Sequence, residues 1–168
     1  MVDPVPPSIC PTVAGPLQVW VDTGSSNALE FLGWTTNGAS IEQTAFQTPV
    51  FSDENGGEQG QPVDYQLFGN QHRVSLELSK FQSAVLAKLD ARYNPAVDAG
   101  DIGVGMLLNC TSGKFRLLLW APNFVRNYPN SYVLEPIEQS PIGSQYTRAR
   151  CSFTCNKIGG VLFNTTFA

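Results

Sequence analysis

The chain has 168 residues, of which 42% are hydrophobic and only 14% charged, and its formal net charge is −4. A chain of this length buries roughly 70% of its unfolded surface in one domain, which excludes two full domains and removes any need for covalent staples. Charged residues make up about 25% of an average soluble protein, so much of this surface is uncharged, either polar or suited to burial in an assembly; the acidic balance, with a pI near 4.8, excludes the basic footprint of a tight nucleic-acid binder.

Residues 1–16, "MVDPVPPSICPTVAGP", are rich in proline and lack periodicity, so they read as an extended arm. They lack the basic start and apolar run of a signal peptide, and no stretch approaches the ~20 apolar residues of a membrane span. The expectation is a protein that stays in a cytosol-like compartment until assembled, without a membrane partner. From Leu17, alternation begins: Leu17, Val19 and Val21 on one face, Gln18, Trp20 and Asp22 on the other, a half-buried strand. Asp22 to Asn27 reads as a polar turn, and "ALEFLGW" as a second short strand. Asn37-Gly38 is a hairpin signal, leading into Ile41, Gln43 and Ala45 alternating with Glu42, Thr44 and Phe46.

Ser52 to Pro62, "SDENGGEQGQP", is too rich in glycine and acid for a regular element and reads as a long mobile connection. A strand pair follows, Val63 to Phe68 and Val74 to Leu78, joined by Gly69-Asn70-Gln71-His72. The period then changes: Phe81, Ala84, Val85, Lys88 and Leu89 recur at helical spacing, with Ser79 as N-cap and Pro95 as stop. "MLLNC" and "KFRLLLWAP" read as a hairpin about Thr111-Ser112-Gly113. "SQYTRARCSFTCNK" alternates, with Thr147, Ala149, Cys151, Phe153 and Cys155 on one face, and "VLFNTTF" closes the chain. The predicted fold is mainly β: a β-sandwich or open barrel with one flanking α-helix at about residues 79–92. An extended arm over 1–16 precedes a single domain over 17–168 that carries the long loop 52–62.

The sharpest chemical motif is Asp22-Thr23-Gly24-Ser25-Ser26, the letters around the catalytic aspartate of pepsin-like proteases. That chemistry needs two aspartates sharing a proton, so this chain would have to act as a retropepsin-like homodimer. "KIGGV" or "DIGVG" could serve as its supporting glycine segment, but the acidic connection and mid-chain helix have no place in that fold. The competing reading makes Asp22 a strand-end turn residue. Gly103-x-Gly105 lacks the context of a dinucleotide loop. Asp53, Glu54, Asn55 and Glu58 lack the order of a calcium loop, and His72 reads as a surface or hairpin residue. Cys151 and Cys155 would sit about 13 Å apart at ~3.3 Å per residue along a strand, too far for a disulfide. Together with Cys10 and Cys110 they read as buried small hydrophobes. No catalytic, cofactor or metal residue is expected.

Residues 28–90 resemble the tail-tube and tube-like virion proteins of tailed bacteriophages. The resemblance lies in Gly33 at a strand end, Asn37-Gly38 with Ile41, the long acidic connection, Pro62-Val63-Asp64, Gly69 before Val74 to Leu78, and Ala84 to Leu89 in the helix. It implies a non-enzymatic structural protein of the virion, assembled in the host cytoplasm. Copies of it would form hexameric rings that stack into a conduit for transient, non-specific passage of DNA, alongside other virion proteins. The implied subunit interface falls on Phe46, Val50, Phe51, Asp53, Glu54, Glu58, Gln61 and Val63. A capsid decoration or cement protein and a neck or tail-terminator ring are the alternatives, with the homodimeric protease behind them. The proline-rich arm and the cysteine-bearing tail strand have no counterpart in the resemblance.

Overall fold

The computed structural model describes residues 16–22, 28–93, 114–122, 124–135, 137–139, 147–157 and 160–165. Its strands are β1 (Gln18–Asp22), β2 (Glu30–Val50), β3 (Asp64–Phe81), β4 (Phe115–Ala121), β5 (Phe124–Val133), β6 (Glu138–Gln139) and β7 (Ala149–Asn156), with one helix, α1 (Ser83–Tyr93). Every pairing is antiparallel, in the order β3-β2-β1-β4-β5-β7-β6. β3 also pairs with β7, from Gln71↔Asn156 to Leu78↔Ala149, so the ladder returns on itself and β6 is an extra strand on β7. The expected mainly β fold with one flanking helix is what the chain adopts, and closure removes edges that an open sheet would expose.

Alternating side chains fill the interior, and on β4 Leu118, between Leu117 and Leu119, is fully buried as well. Val19 and Val21 of β1, Val74, Leu76 and Leu78 of β3, Leu117 and Leu119 of β4, and Cys151, Phe153 and Cys155 of β7 point inward and form one core. The helix closes one end of this core with Val85, Leu86 and Leu89. The predicted stripe is thus shifted: Ala84 is exposed and Leu86 takes its place, while Lys88 turns outward to a salt bridge with Glu30 at 2.6 Å. Ser79 does not cap the helix, because β3 keeps pairing with β2 as far as Phe81↔Gly33, and the helix starts at Ser83. At Gly33 the strands approach so closely that a Cβ would lie 2.3 Å from the Lys80 carbonyl oxygen.

Two expected turns are not turns. Asn37-Gly38 lies inside the unbroken β2, where pairing jumps from Thr35↔Leu78 to Ala39↔Leu76 and Gly38 takes φ +80°. The left-handed conformation that Asn-Gly tolerates serves a bulge here, because Thr35 is tied to Leu17 by two 3.0 Å hydrogen bonds, one from each backbone N–H, and β3 supplies the other partner. Gly69 to His72 is likewise strand, paired across to Phe46 through Gln43. β5 was not expected from the sequence; Pro129 interrupts its pattern, but β4 and β7 hold it on either side. The described part of the closing segment forms no extended strand and makes an isolated bridge, Asn127↔Asn164. The arm 1–15, residues 23–27, Pro95, the segment 106–113, Cys10, Cys110, Gly103 and Gly105 lie outside the described residues.

Cys151 and Cys155 are buried, as expected, and burial pushes the Cys155 thiol up to about 12. His72 is a correction: it shares the inward parity of Val74 and Leu76 and is buried, 5% exposed. Its Nδ1 lies 3.2 Å from the Tyr128 hydroxyl and its ring stacks on Phe163 at 5.5 Å. Burial, and then the Arg126 charge, lower its pKa below the usual 6.5.

Leu89 is fully buried where helix meets barrel, so Leu89→Ala should cost about 2–5 kcal/mol of unfolding free energy, read by urea titration. Folding holds the His72 imidazole neutral, so the stability it contributes is complete above the unfolded value of 6.5 and is lost as pH falls through it. Thermal midpoints of wild type should therefore decline from neutral pH toward pH 5 more steeply than those of His72→Phe; parallel profiles would remove His72 from the pH response.

Candidate assembly interface

β2 and β3 outrun the sheet that supports them. β1 pairs with β2 only between Glu30 and Trp34, and β7 pairs with β3 only between Gln71 and Leu78. Beyond Thr44 and Gln71 the two strands have only each other among the described residues, through Ala45↔Asn70, Phe46↔Gly69, Thr48↔Gln66 and Val50↔Asp64. Every residue from Glu42 to Val50 and from Asp64 to Phe68 is exposed. A free two-stranded ribbon is marginal in water, and its outer edges offer unpaired backbone groups to another chain.

The register fixes the two faces. Gln43, Ala45, Gln47 and Pro49 with Asn70, Leu67 and Tyr65 continue the inward face of the barrel, because Gln43 stands opposite the buried His72. Thr44, Phe46, Thr48 and Val50 with Gly69, Gln66 and Asp64 continue the outward face. The shift between Phe46 and Gln47 leaves Phe68 as the extra residue of a bulge. Large apolar side chains stand exposed on both: Leu67 at 69%, Phe68 at 64%, Tyr65 at 53% and Phe46 at 49%.

The predicted mobile connection is a folded tip. Two short 3-10 turns, Asp53–Asn55 and Gly57–Gln59, occupy most of it. Gly56 and Gly57 supply the left-handed φ values of +89° and +60° between them. Gly57 N–H donates to the Ser52 carbonyl at 3.2 Å, and Val63 N–H to the Val50 carbonyl at 2.9 Å, closing the base. Of the residues expected at an interface, Phe46 and Val50 lie on β2. Phe51, half-buried, and Asp53, Glu54, Glu58, Gln61 and Val63, all exposed, lie on the tip. The structure brings all eight onto one projection.

Tyr65, Leu67 and Phe68 stand exposed beside them and were not singled out, since Val63 to Phe68 reads as one strand of a pair with Val74 to Leu78. The signal that could have found them is charge. Asp53, Glu54, Glu58 and Asp64 are the only charged residues between Gln43 and His72, and they equal the whole net charge of −4. A strand partnered on both sides within a monomer does not need to shed its cations in this way.

Where the ribbon leaves the barrel, Gln71 Nε2 donates to Asn156 Oδ1 at 2.7 Å, and Arg73 pairs with Glu135 and donates to Ser152 at 3.1 Å. Arg73 also lines an outer groove of about 550 Å³ between the β2 bulge, β3 and β7. There Glu77 accepts from Arg148 at 2.9 Å and Arg150 at 3.1 Å, and these guanidinium groups, Arg150 first, hold its carboxyl below the usual range. Asp22 ends β1, 7% exposed, opposite Arg116 on β4. Among the described residues no three His, Cys, Asp or Glu side chains gather as a metal site, so Asp53, Glu54 and Glu58 are not drawn together as ligands. No described helix is long and apolar enough to cross a membrane.

No protein family matches the sequence, and no curated protein matches it. Solved structures do. A chain from the virion of a native gene transfer agent particle superposes with a TM-score of 0.50 at 12% identity, over 88% of this chain and 95% of that one. A chain from the tail of an empty gene transfer agent particle, obtained by helical refinement with C6 symmetry, gives 0.50 at 14% identity, over 89% and 95%. This chain is thus similar in fold, over most of its length, to a component of a tailed particle, in agreement with the tail-tube resemblance of residues 28–90.

Proposed function

We propose that the chain is a tail-tube-like virion structural protein whose copies form six-membered rings that stack into a conduit for viral DNA. The observation that carries this reading is the ribbon, which exposes apolar side chains on both faces and has no partner within the described residues. The C6 symmetry of a similar tail supports the ring order. The interface comprises Phe46, Val50, Phe51, Asp53, Glu54, Glu58, Gln61 and Val63, with Tyr65, Leu67 and Phe68 added.

Covering the exposed half of each of the six ribbon side chains Phe46, Val50, Val63, Tyr65, Leu67 and Phe68 contributes about 1 kcal/mol apiece. That gain is comparable with the roughly 4–15 kcal/mol that association costs. A single ribbon contact is therefore weak, and closed rings, in which every copy is held by two neighbours, are favoured over pairs. Acids without cations on the ribbon repel phosphate, which suits a wall that DNA passes without adhering.

Purified protein should form rings of six, and at higher concentration tubes, seen by negative stain and weighed by light scattering. Deleting residues 52–62 should leave a folded monomer that forms neither. Monomer alone at millimolar concentration would overturn the reading, and binding to empty shells without rings would favour a decoration protein instead.

A further inference from the structure

All three tryptophans of the chain lie on one outer wall. Trp20 alternates with the core residues Val19 and Val21 and so faces outward from β1. Trp34 and Trp120 both stand opposite Gln18, one on β2 and the other on β4. Phe31 joins them, edge-on to Trp20 at 5.0 Å and to Trp34 at 6.0 Å, and Gln18 Oε1 accepts from Trp20 Nε1 at 3.2 Å. These rings are half-buried, neither core nor fully wet. Beside them Lys80 is cross-strand neighbour to Trp34, and it is exposed without an ion-pair partner among the described residues.

We infer that the ribbon of one copy docks on this wall of a second copy, laying Tyr65 and Leu67 against Trp20, Phe31 and Trp34 and setting its acids beside Lys80. The inference rests on the self-assembly reading above and names the surface the ribbon meets. Three observations carry it. Ala45, Pro49, Tyr65 and Leu67 make the inward-continuing face of the ribbon the more apolar one, and clustered aromatic side chains are the anchors that protein interfaces favour. The ribbon has four acids and no base, and the wall has at its rim a cation, Lys80, without an ion-pair partner among the described residues.

The third observation is geometric. Wall and ribbon belong to the same strand, with Trp34 and Gln47 separated by roughly 40 Å at 3.4 Å per residue less the bulge, so a rigid ladder cannot fold back on its own wall. The contact is between copies and joins two different surfaces. Repeated, such a head-to-tail contact gives a ring if the rotation closes and a filament if it does not.

The test uses two variants of the full chain, Leu67→Asp on the ribbon and Trp34→Ala on the wall, each checked for cooperative unfolding. Each alone should remain monomeric. Mixed, they should form a 1:1 pair, because one sound ribbon and one sound wall remain, and light scattering reads the mass. Tryptophan emission should shift to the blue on mixing, since the ribbon itself holds no tryptophan. Lys80→Glu, which leaves the aromatic rings in place, should raise the concentration for half-assembly of the chain roughly two- to fivefold, with the effect fading in 1 M salt. If wild type assembles but the mixture stays monomeric without a spectral shift, the wall assignment is wrong and the assembly reading stands. If wild type never assembles, the assembly reading itself fails.

Discussion

The ladder between β2 and β3 continues past the point where the barrel stops supporting it, and the rest of the molecule is arranged around that fact. Inside the barrel the two strands are held on both sides, by β1 and by β7, and their inward residues are buried. Beyond Thr44 and Gln71 the same hydrogen bonds persist without cover among the described residues. At the change-over sit His72, Tyr128 and Phe163, whose rings lie within 5.9 Å of one another and seal the core beneath the ribbon. Burial raises the Tyr128 pKa and lowers that of His72, so both rings stay neutral and the seal adds no charge to the interior. A plug at that position lets a strand run from a dry interior into solvent without opening the barrel.

Charge follows the same division. Outside the ribbon acids and bases balance, and several are matched in pairs: Lys88 with Glu30, Arg148 and Arg150 with Glu77, Arg73 with Glu135. Exposed pairs like these add little stability, but they leave the barrel surface electrically quiet. The ribbon keeps its acids and lacks compensating cations. Copies that approached ribbon to ribbon would repel at the tips, whereas ribbon against barrel meets no such penalty. The charge pattern thus favours polar, head-to-tail contacts over symmetric ones.

Much of the barrel was legible in the sequence because period-2 alternation is a local signal. Val19 and Val21, and Cys151, Phe153 and Cys155, fall on the face their spacing assigns. The turns were less legible, because turn chemistry does not say whether a chain reverses. Asn37-Gly38 carries the residues of a hairpin, yet β3 pairs with β2 on either side of it, at Thr35 and Ala39, and the same left-handed glycine makes a bulge. Gly69 to His72 has the composition of a loop but is held as strand by β2 and, at Gln71 and His72, by β7. Pro129 hid β5 for a related reason, since only its neighbours show that a strand tolerates it there. The eight residues that the resemblance named fall together on one projection, Phe46 and Val50 on β2 and the rest on the tip. The exposure of Tyr65, Leu67 and Phe68 was not legible, because an apolar strand face looks the same in sequence whether it meets its own core or solvent.

That ambiguity also bears on how many neighbours a copy needs. If only one face of the ribbon were apolar, a single partner would cover it, and a symmetric pair of copies would suffice. Tyr65 and Leu67 stand on one face, however, and Phe46 and Val50 on the other, all between 42% and 69% exposed. A β ribbon is one strand layer thick, so a partner on one face cannot shield the other. Covering both takes at least two neighbours per ribbon, a condition that a ring or tube meets and an isolated pair does not.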